Sequence, residues 1–209
     1  MSDSLNRNMT DSSEAAEDIF RIACLLKSAR TRGELGEILS REVQKYSLND
    51  LQILGGKMNT EIEHLPSTYR KAMVQLRDHV FTCHHHLIVL HRSGEFARLT
   101  APVGNRKRFE AFCNMLPSGM FAVIDTSEGT LHLKKLSFLF YYLLAAFTMF
   151  VLEEPAHPVG TRFPGGYNVE MKGSVYYCPV RDKEKEVFYS LCNFCPALQG
   201  GEHRNSSTK

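Results

Sequence analysis

One long apolar segment limits what this chain can fold into. Residues 136–152 read LSFLFYYLLAAFTMFVL and contain no charged side chain, while Lys135 precedes them and Glu153 follows. A membrane-spanning helix usually needs about 20 apolar residues, so the segment is at the lower edge of that length, and it includes the polar residues Ser137 and Tyr141. A helix enclosed on all sides by other helices has the same composition. We therefore predict a buried central helix and no membrane partner.

Amphipathic helices are predicted on the N-terminal side of this segment. Apolar residues recur at helical spacing over residues 14–28 and 33–46. Ser47 has the features of an N-cap for a third helix, because Asp50 in the third helical position can bond back to it. A fourth helix is predicted over residues 66–93, since it opens with proline, which suits a first helical turn.

Proline and glycine divide the rest of the chain. A short helix over residues 106–115 is predicted to end before Pro117. Residues 155–166 are rich in proline and glycine, which end the apolar helix. The next stretch, YNVEMKGSVYYCPV, alternates in polarity and turns at Lys172-Gly173, which predicts a β-hairpin. A final helix is predicted over residues 182–198.

The predicted fold class is mainly α. We expect a single helical domain over residues 14–199, built around the buried apolar helix, with a small C-terminal β-hairpin and a Cys-rich end. A hydrophobic share of 43% is sufficient for such a core. Residues 1–13 and 200–209 are polar and are predicted to be disordered tails.

The charge distribution argues against nucleic acid as a partner. The formal net charge is +2, and the basic run Arg106-Lys107-Arg108 is short. The first residues are polar and acidic and do not resemble a signal peptide. We therefore expect a cytoplasmic protein whose thiols stay reduced. A protein partner of unknown identity stays open.

The cysteines near the C-terminus predict a metal site. Cys192 and Cys195 form a C-x-x-C pair, and Cys178 ends the predicted hairpin. Cys178 and Cys195 are each followed by proline, which fixes the backbone after the thiol. His157, in the Pro-rich stretch, is available as a fourth ligand. These four residues predict a Cys₃His metal site in the part of the domain that spans about residues 155–199.

The metal itself is left open by the ligand types. Zinc and a [4Fe–4S] cluster both bind cysteine thiolates. A redox dithiol is less favoured, because the pair lies near the end of the predicted final helix and not at a helix N-terminus, where a thiol pKa is lowered. The remaining alternative is that the three thiols only pack.

A second group of candidate ligands lies in the fourth helix. His79, Cys83 and His86 are spaced four and three residues apart, so they could share one helix face as a metal site requires. Cys83 also falls within an apolar stripe of helical period. Because such a stripe is typical of core packing, we expect Cys83 to pack and the histidines to flank it.

The C-terminal motifs resemble a known family. They are the runs HPVG at residues 157–160, FPGG at 163–166, YCPV at 177–180 and LCNFC at 191–195. This pattern is similar to an uncharacterised archaeal family, found mainly in methanogens and labelled domain of unknown function 2115, over about residues 33–199. The resemblance implies a soluble protein of a strict anaerobe. An oxygen-sensitive iron–sulfur cluster is compatible with such a cell.

Three functions are consistent with these observations. The first is a metal-binding protein, zinc or iron–sulfur, with a structural or accessory role. The second is a metal-dependent enzyme with an open coordination position beside the Gly-Pro loop, towards which Arg162, Glu154 and Tyr177 would converge. The third is a protein-interaction module without a metal. The sequence contains no P-loop, dinucleotide or Ser-His-Asp fingerprint that would assign a reaction class.

Overall fold

Helices dominate the structure, as the sequence predicts. The computed structural model describes residues 16–126, 131–163 and 166–200. The predicted tail at residues 1–13 lies outside these ranges, as does the predicted tail at 200–209 apart from Gly200. The helices in the described part are α1 (residues 16–28), α2 (Arg32–Val43), α3 (Leu48–Glu63), α4 (Ser67–Arg92), α5 (Arg106–Thr126) and α6 (Leu131–Ala146).

Local capping fixes where α2 and α3 begin. The Thr31 side chain accepts a bond from the Glu34 amide, and the Glu34 carboxylate accepts from the Thr31 amide in return. Ser47 and Asp50 form the same reciprocal arrangement at the start of α3, which confirms the predicted N-cap. Pro66 occupies the N-cap position of α4. The Thr31 and Ser47 caps satisfy amide groups that would otherwise lack partners, whereas Pro66 makes no side-chain capping bond.

The apolar segment forms the centre of the core. Helix α6 continues into a π-helical stretch, Phe147–Leu152, which ends at Glu153 with a left-handed backbone (φ +61°). Residues Leu133–Leu152 are long and apolar enough to cross a membrane by length and composition, yet 72% of the apolar window is buried inside the structure. Phe150 packs against Phe109 and Phe112 of α5. The predicted buried apolar helix is thereby confirmed.

Helix α5 is longer than the sequence indicates. It was expected to end before Pro117 but continues through that residue to Thr126. An interior proline costs roughly 3 kcal/mol, and the burial of Leu116 and Met120 on either side offsets this cost, since both are fully buried. Gly119 allows close packing here, because an added Cβ would lie 3.0 Å from the Cβ of Tyr189.

The C-terminal end contains a small sheet. Strands β1 (Glu170–Lys172) and β2 (Val175–Cys178) pair antiparallel, with Met171 opposite Tyr176. This confirms the predicted hairpin. A third strand, β3 (Leu198–Gln199), pairs parallel to β2 and was not predicted.

The predicted final helix over residues 182–198 is wrong. That segment forms turns and a short 3₁₀ helix, Leu191–Phe194, before it enters β3. Polar side chains form hydrogen bonds with backbone groups that would pair with one another in a helix. Asn193 donates to the Val187 carbonyl at 2.8 Å, and the Gln199 side chain accepts from the Asp182 amide at 2.8 Å. Such side-chain bonds favour turns over helix.

Two helical glycines provide a matched test of the packing between α2 and the segment after α4. The Gly33 amide donates to the Leu99 carbonyl at 2.9 Å, and a Cβ at Gly33 would collide with the Phe96 carbonyl oxygen. We predict that Gly33→Ala lowers the free energy of unfolding by about 1–3 kcal/mol, as overpacking does. Gly56 has nothing within 4 Å of its added Cβ. The substitution Gly56→Ala should therefore raise the free energy of unfolding by up to about 1 kcal/mol.

Urea denaturation followed by circular dichroism measures both changes. Equal changes in the free energy of unfolding for the two substitutions would contradict the predicted collision between a Cβ at Gly33 and the Phe96 carbonyl oxygen.

Candidate metal centre

The four predicted ligands line one small cavity. Cys178 ends β2, Cys192 lies within the 3₁₀ helix, Cys195 directly follows it, and His157 lies in the loop after the π-helical stretch. The cavity has a volume of about 10 Å³, which is close to the space one water molecule occupies. The other residues that line it are Pro155, Ala156, Val169, Arg181 and Leu191.

The thiols in this cavity are buried and reduced. Cys178 is 4% exposed, Cys192 9% and Cys195 6%, and all three are free cysteines. Burial raises the pKa of Cys178, and the neighbouring thiols Cys192 and Cys195 raise it further. Burial likewise raises the pKa of Cys192. In the metal-free protein both groups are therefore neutral thiols at pH 7.

Neighbouring polar groups partly offset the rise in the pKa of two of these thiols. The backbone amides of Val180 and Arg181 oppose the rise in the Cys178 pKa, because they stabilise its thiolate. The Ser190 side chain has the same effect on the pKa of Cys192. Outer polar groups of this kind tune the affinity of a metal ligand.

Hydrogen bonds to backbone carbonyls attach the cysteine-bearing segments to the sheet and to helices α5 and α6. The Gly200 amide donates to the Cys178 carbonyl at 2.9 Å, which fixes the end of β2 beside β3. Arg108 of α5 donates to the Cys195 carbonyl at 3.4 Å. The Tyr142 hydroxyl of α6 donates to the Tyr189 carbonyl at 2.6 Å, just before the 3₁₀ helix. The cysteine-bearing segment is therefore attached to the helical core.

The cavity is not a finished coordination sphere. In residues 16–126, 131–163 and 166–200, no three His, Cys, Asp or Glu side chains are arranged so that they could hold a metal ion. The four predicted ligands share a cavity, but their donor atoms would have to turn inward to bind an ion.

His157 has the protonation state that a ligand needs. Burial, and to a lesser extent the positive charge of His79, lowers the pKa of His157 to about 4. Its ring meets the Phe163 ring edge to face, with centroids 5.5 Å apart. At neutral pH the imidazole is uncharged and has a free lone pair, which is the form that binds metals.

The second candidate group, in α4, is a packing cluster. Cys83 belongs to the hydrophobic core, as its apolar stripe predicts. Its Sγ lies 3.4 Å from Nε2 of His79 and 3.7 Å from Oγ1 of Thr148. His86 is exposed and packs edge-on against Phe147. No feature of the sequence indicates that His79 also lies near enough to His157 to lower its pKa.

Residues proposed for an enzyme do not converge on the cavity. Arg162 and Glu154 are exposed, and neither lines it. Tyr177 instead lines a separate cavity of about 300 Å³ beside Lys172.

The sequence disfavours a redox dithiol because of where the C-x-x-C pair lies in a predicted helix. The structure disfavours it because of the pKa of Cys192. Cys192 lies in a four-residue 3₁₀ helix and not near the end of a long helix. Its raised pKa is the opposite of what an attacking thiol requires.

Thiol reactivity tests this description of the cysteines. Cys24 is exposed, whereas Cys178, Cys192 and Cys195 are buried. We predict that Ellman's reagent at pH 8 labels Cys24 rapidly in the folded, metal-free protein and labels the three cavity thiols only after urea is added. Mass spectrometry of the labelled peptides identifies the sites. Rapid labelling of Cys192 or Cys195 in folded protein would contradict the burial.

The low pKa of His157 predicts a pH-dependent stability. Between its ordinary pKa of 6.5 and about 4, the unfolded chain binds a proton that the folded chain does not. The free energy of unfolding should therefore fall as the pH is lowered through this window. Urea titrations at pH 7 and pH 4.5, on metal-free protein, should show a smaller loss for His157→Gln than for the wild type. Equal losses would show that His157 protonates normally in the folded state.

Comparison with known proteins places the chain in a family. The profile described as an uncharacterized protein conserved in archaea, domain of unknown function 2115, matches residues 31–200. A UPF0305 protein of Methanocaldococcus jannaschii is 23% identical over 163 residues, which are 78% of this chain and 92% of that relative. No solved structure matches the chain significantly.

Other relatives match over shorter segments. A UPF0305 protein of Methanothermobacter thermautotrophicus is 47% identical over 57 residues, or 27% of this chain and 35% of the relative. One from Methanopyrus kandleri is 41% identical over 64 residues, or 31% of this chain and 45% of the relative. The chain thus spans less than half the length of these two relatives. Since the family profile covers residues 31–200, the chain belongs to the archaeal family of domain of unknown function 2115.

Proposed function

We propose that this chain is a zinc-binding protein of the archaeal cytoplasm, with Cys178, Cys192, Cys195 and His157 as ligands. The role we assign to the ion is structural or accessory. The observation that supports the proposal is that these four residues, from separate parts of the C-terminal region, line the same small cavity. All the described cysteines are free thiols, which agrees with a reducing compartment.

The chemistry of the four donors suits zinc. Three thiolates and one imidazole complete a closed tetrahedral site of the structural type. The backbone amides beside Cys178 and the Ser190 side chain offset part of the rise in the pKa of Cys178 and Cys192, which reduces the cost of deprotonation when the metal binds. The neutral His157 needs no deprotonation at pH 7.

The size of the cavity favours one ion over a cluster. A volume of about 10 Å³ suits a single ion after the ligands turn inward. A [4Fe–4S] cluster contains four irons and four sulfides, and it would have to push apart the buried Val169 and Leu191 side chains. We therefore place zinc ahead of iron–sulfur, and we treat the cluster as an outcome of the experiment below.

A metal here would cross-link a region with little regular structure. Residues 179–190 form turns between β2 and the 3₁₀ helix. An ion bound to Cys178, to both members of the C-x-x-C pair and to His157 would join this region to the loop that leaves the core helix. Zinc sites commonly contribute folding energy in this manner.

Metal content of the purified protein tests the proposal. Protein purified without oxygen is analysed for zinc, iron and acid-labile sulfide, beside the double variant Cys192→Ser/Cys195→Ser. The matched control is Cys24→Ser, because Cys24 is an exposed thiol that does not line the cavity. We expect one zinc per chain in the wild type and the control, and loss of zinc in the double variant.

Two results would contradict the proposal. Iron with equimolar sulfide and a brown colour, lost in the double variant, would replace zinc with an iron–sulfur cluster. Metal-free wild-type protein that unfolds at the same urea concentration as the double variant would leave the thiols with a packing role alone.

A further inference from the structure

We propose that Arg181 is the charge-compensating residue of the metal centre, with its guanidinium placed against the thiolates. This inference rests on the proposed function and assigns a positioning role to a residue outside the predicted ligand set. Arg181 is the third residue after Cys178 in the sequence CPVR.

The side chain of Arg181 faces the site and lacks a partner there. It lines the same cavity as the three cysteines and His157. Its Nε atom is buried and has no hydrogen-bond partner, and its side chain is 17% exposed. Buried guanidinium nitrogens are almost always hydrogen-bonded, so an unpartnered one in a cavity wall points to an acceptor that arrives with a ligand.

The ion pair between Arg181 and Asp182 is too weak to account for the burial of the Arg181 side chain. Its Nη1 lies 3.4 Å from Oδ1 of Asp182, while Lys185 reaches the other oxygen of Asp182 at 3.0 Å. The carboxylate is therefore shared, and the longer contact belongs to Arg181. Arg181 and Cys192 line the same cavity, and the charge of Arg181 lowers the pKa of Cys192 while the charge of Glu184 raises it.

The charge of the proposed site favours a nearby cation. Three thiolates and one divalent ion leave a net charge of −1, since the imidazole is neutral. A buried charge without a partner is costly. The guanidinium would offset it and would give Nε an acceptor in a thiolate, while the backbone amide of the same residue donates to the Cys178 carbonyl at 3.4 Å. Outer partners of this kind tune metal affinity.

The test compares three substitutions at Arg181 with a remote control. Arg181→Gln and Arg181→Met remove the charge, and Met retains much of the apolar stem. Arg181→Lys retains the charge. Arg98→Gln is the control, because that side chain is 76% exposed and does not line the cavity. Zinc affinity is measured by competition with a chromophoric chelator, and thiolate-to-metal charge-transfer bands are recorded for the cobalt(II)-loaded proteins.

We expect zinc to bind about 10- to 100-fold more weakly to the Gln and Met variants, the range typical of outer-partner loss. The Arg181→Lys variant should bind zinc more tightly than the Arg181→Met variant. The cobalt charge-transfer bands should shift only in the Arg181→Gln and Arg181→Met variants. The Arg98→Gln protein should behave as the wild type.

The outcomes separate this inference from the function on which it rests. Wild-type protein that binds zinc, with Gln and Met variants of equal affinity and unshifted bands, would overturn the role of Arg181 and leave the zinc site intact. Lys and Met variants that lose affinity equally would overturn charge compensation. Wild-type protein that binds neither zinc nor cobalt would overturn both proposals.

Discussion

Burial of the apolar helix α6 and its π-helical continuation is the constraint on which the other elements depend. This segment cannot face water, so the helices pack around it, and the chain leaves it only at Glu153, where the backbone turns left-handed. The same core reaches the C-terminal cysteines. The ring of Phe112 meets Phe150 of the core at 5.4 Å and Phe194 of the 3₁₀ helix at 5.5 Å. Core packing therefore positions the turn that contains Cys192 and Cys195.

The parts of the fold that local rules govern were predictable from the sequence. The apolar composition of residues 136–152 indicated the core helix, and the Ser47 cap and the Lys172-Gly173 turn marked their elements correctly. The errors arose where distant contacts outweigh local preference. Pro117 stays inside α5 because Leu116 and Met120 are buried beside it. The last predicted helix fails because Asn193 and Gln199 bond to backbone groups at turns, and β3 depends on a partner strand that is distant in sequence.

The candidate site shows a similar division. Residue type and the C-x-x-C spacing were sufficient to nominate Cys178, Cys192, Cys195 and His157, and the structure brings all four to one cavity. The sequence alone could not show that Arg181 lines that cavity. It also could not show that His79 lowers the pKa of His157. Those relations depend on the loop after the core helix lining the same cavity as segments that are distant from it in sequence. The buried thiols and an unpartnered guanidinium nitrogen share this cavity, and they are the observations on which the proposed metal centre rests.

X-ray absorption spectroscopy at the zinc edge, on protein purified without oxygen, tests the central claim most directly because it reports the ligand atoms themselves. The account predicts a first shell of three sulfurs at about 2.3 Å and one nitrogen at about 2.0–2.1 Å. In the His157→Gln variant the nitrogen contribution should be lost or replaced by oxygen, while the three sulfurs remain. A shell of nitrogen and oxygen alone in the wild type would mean that zinc binds elsewhere, and it would contradict the assignment of the cysteine cavity as the metal centre.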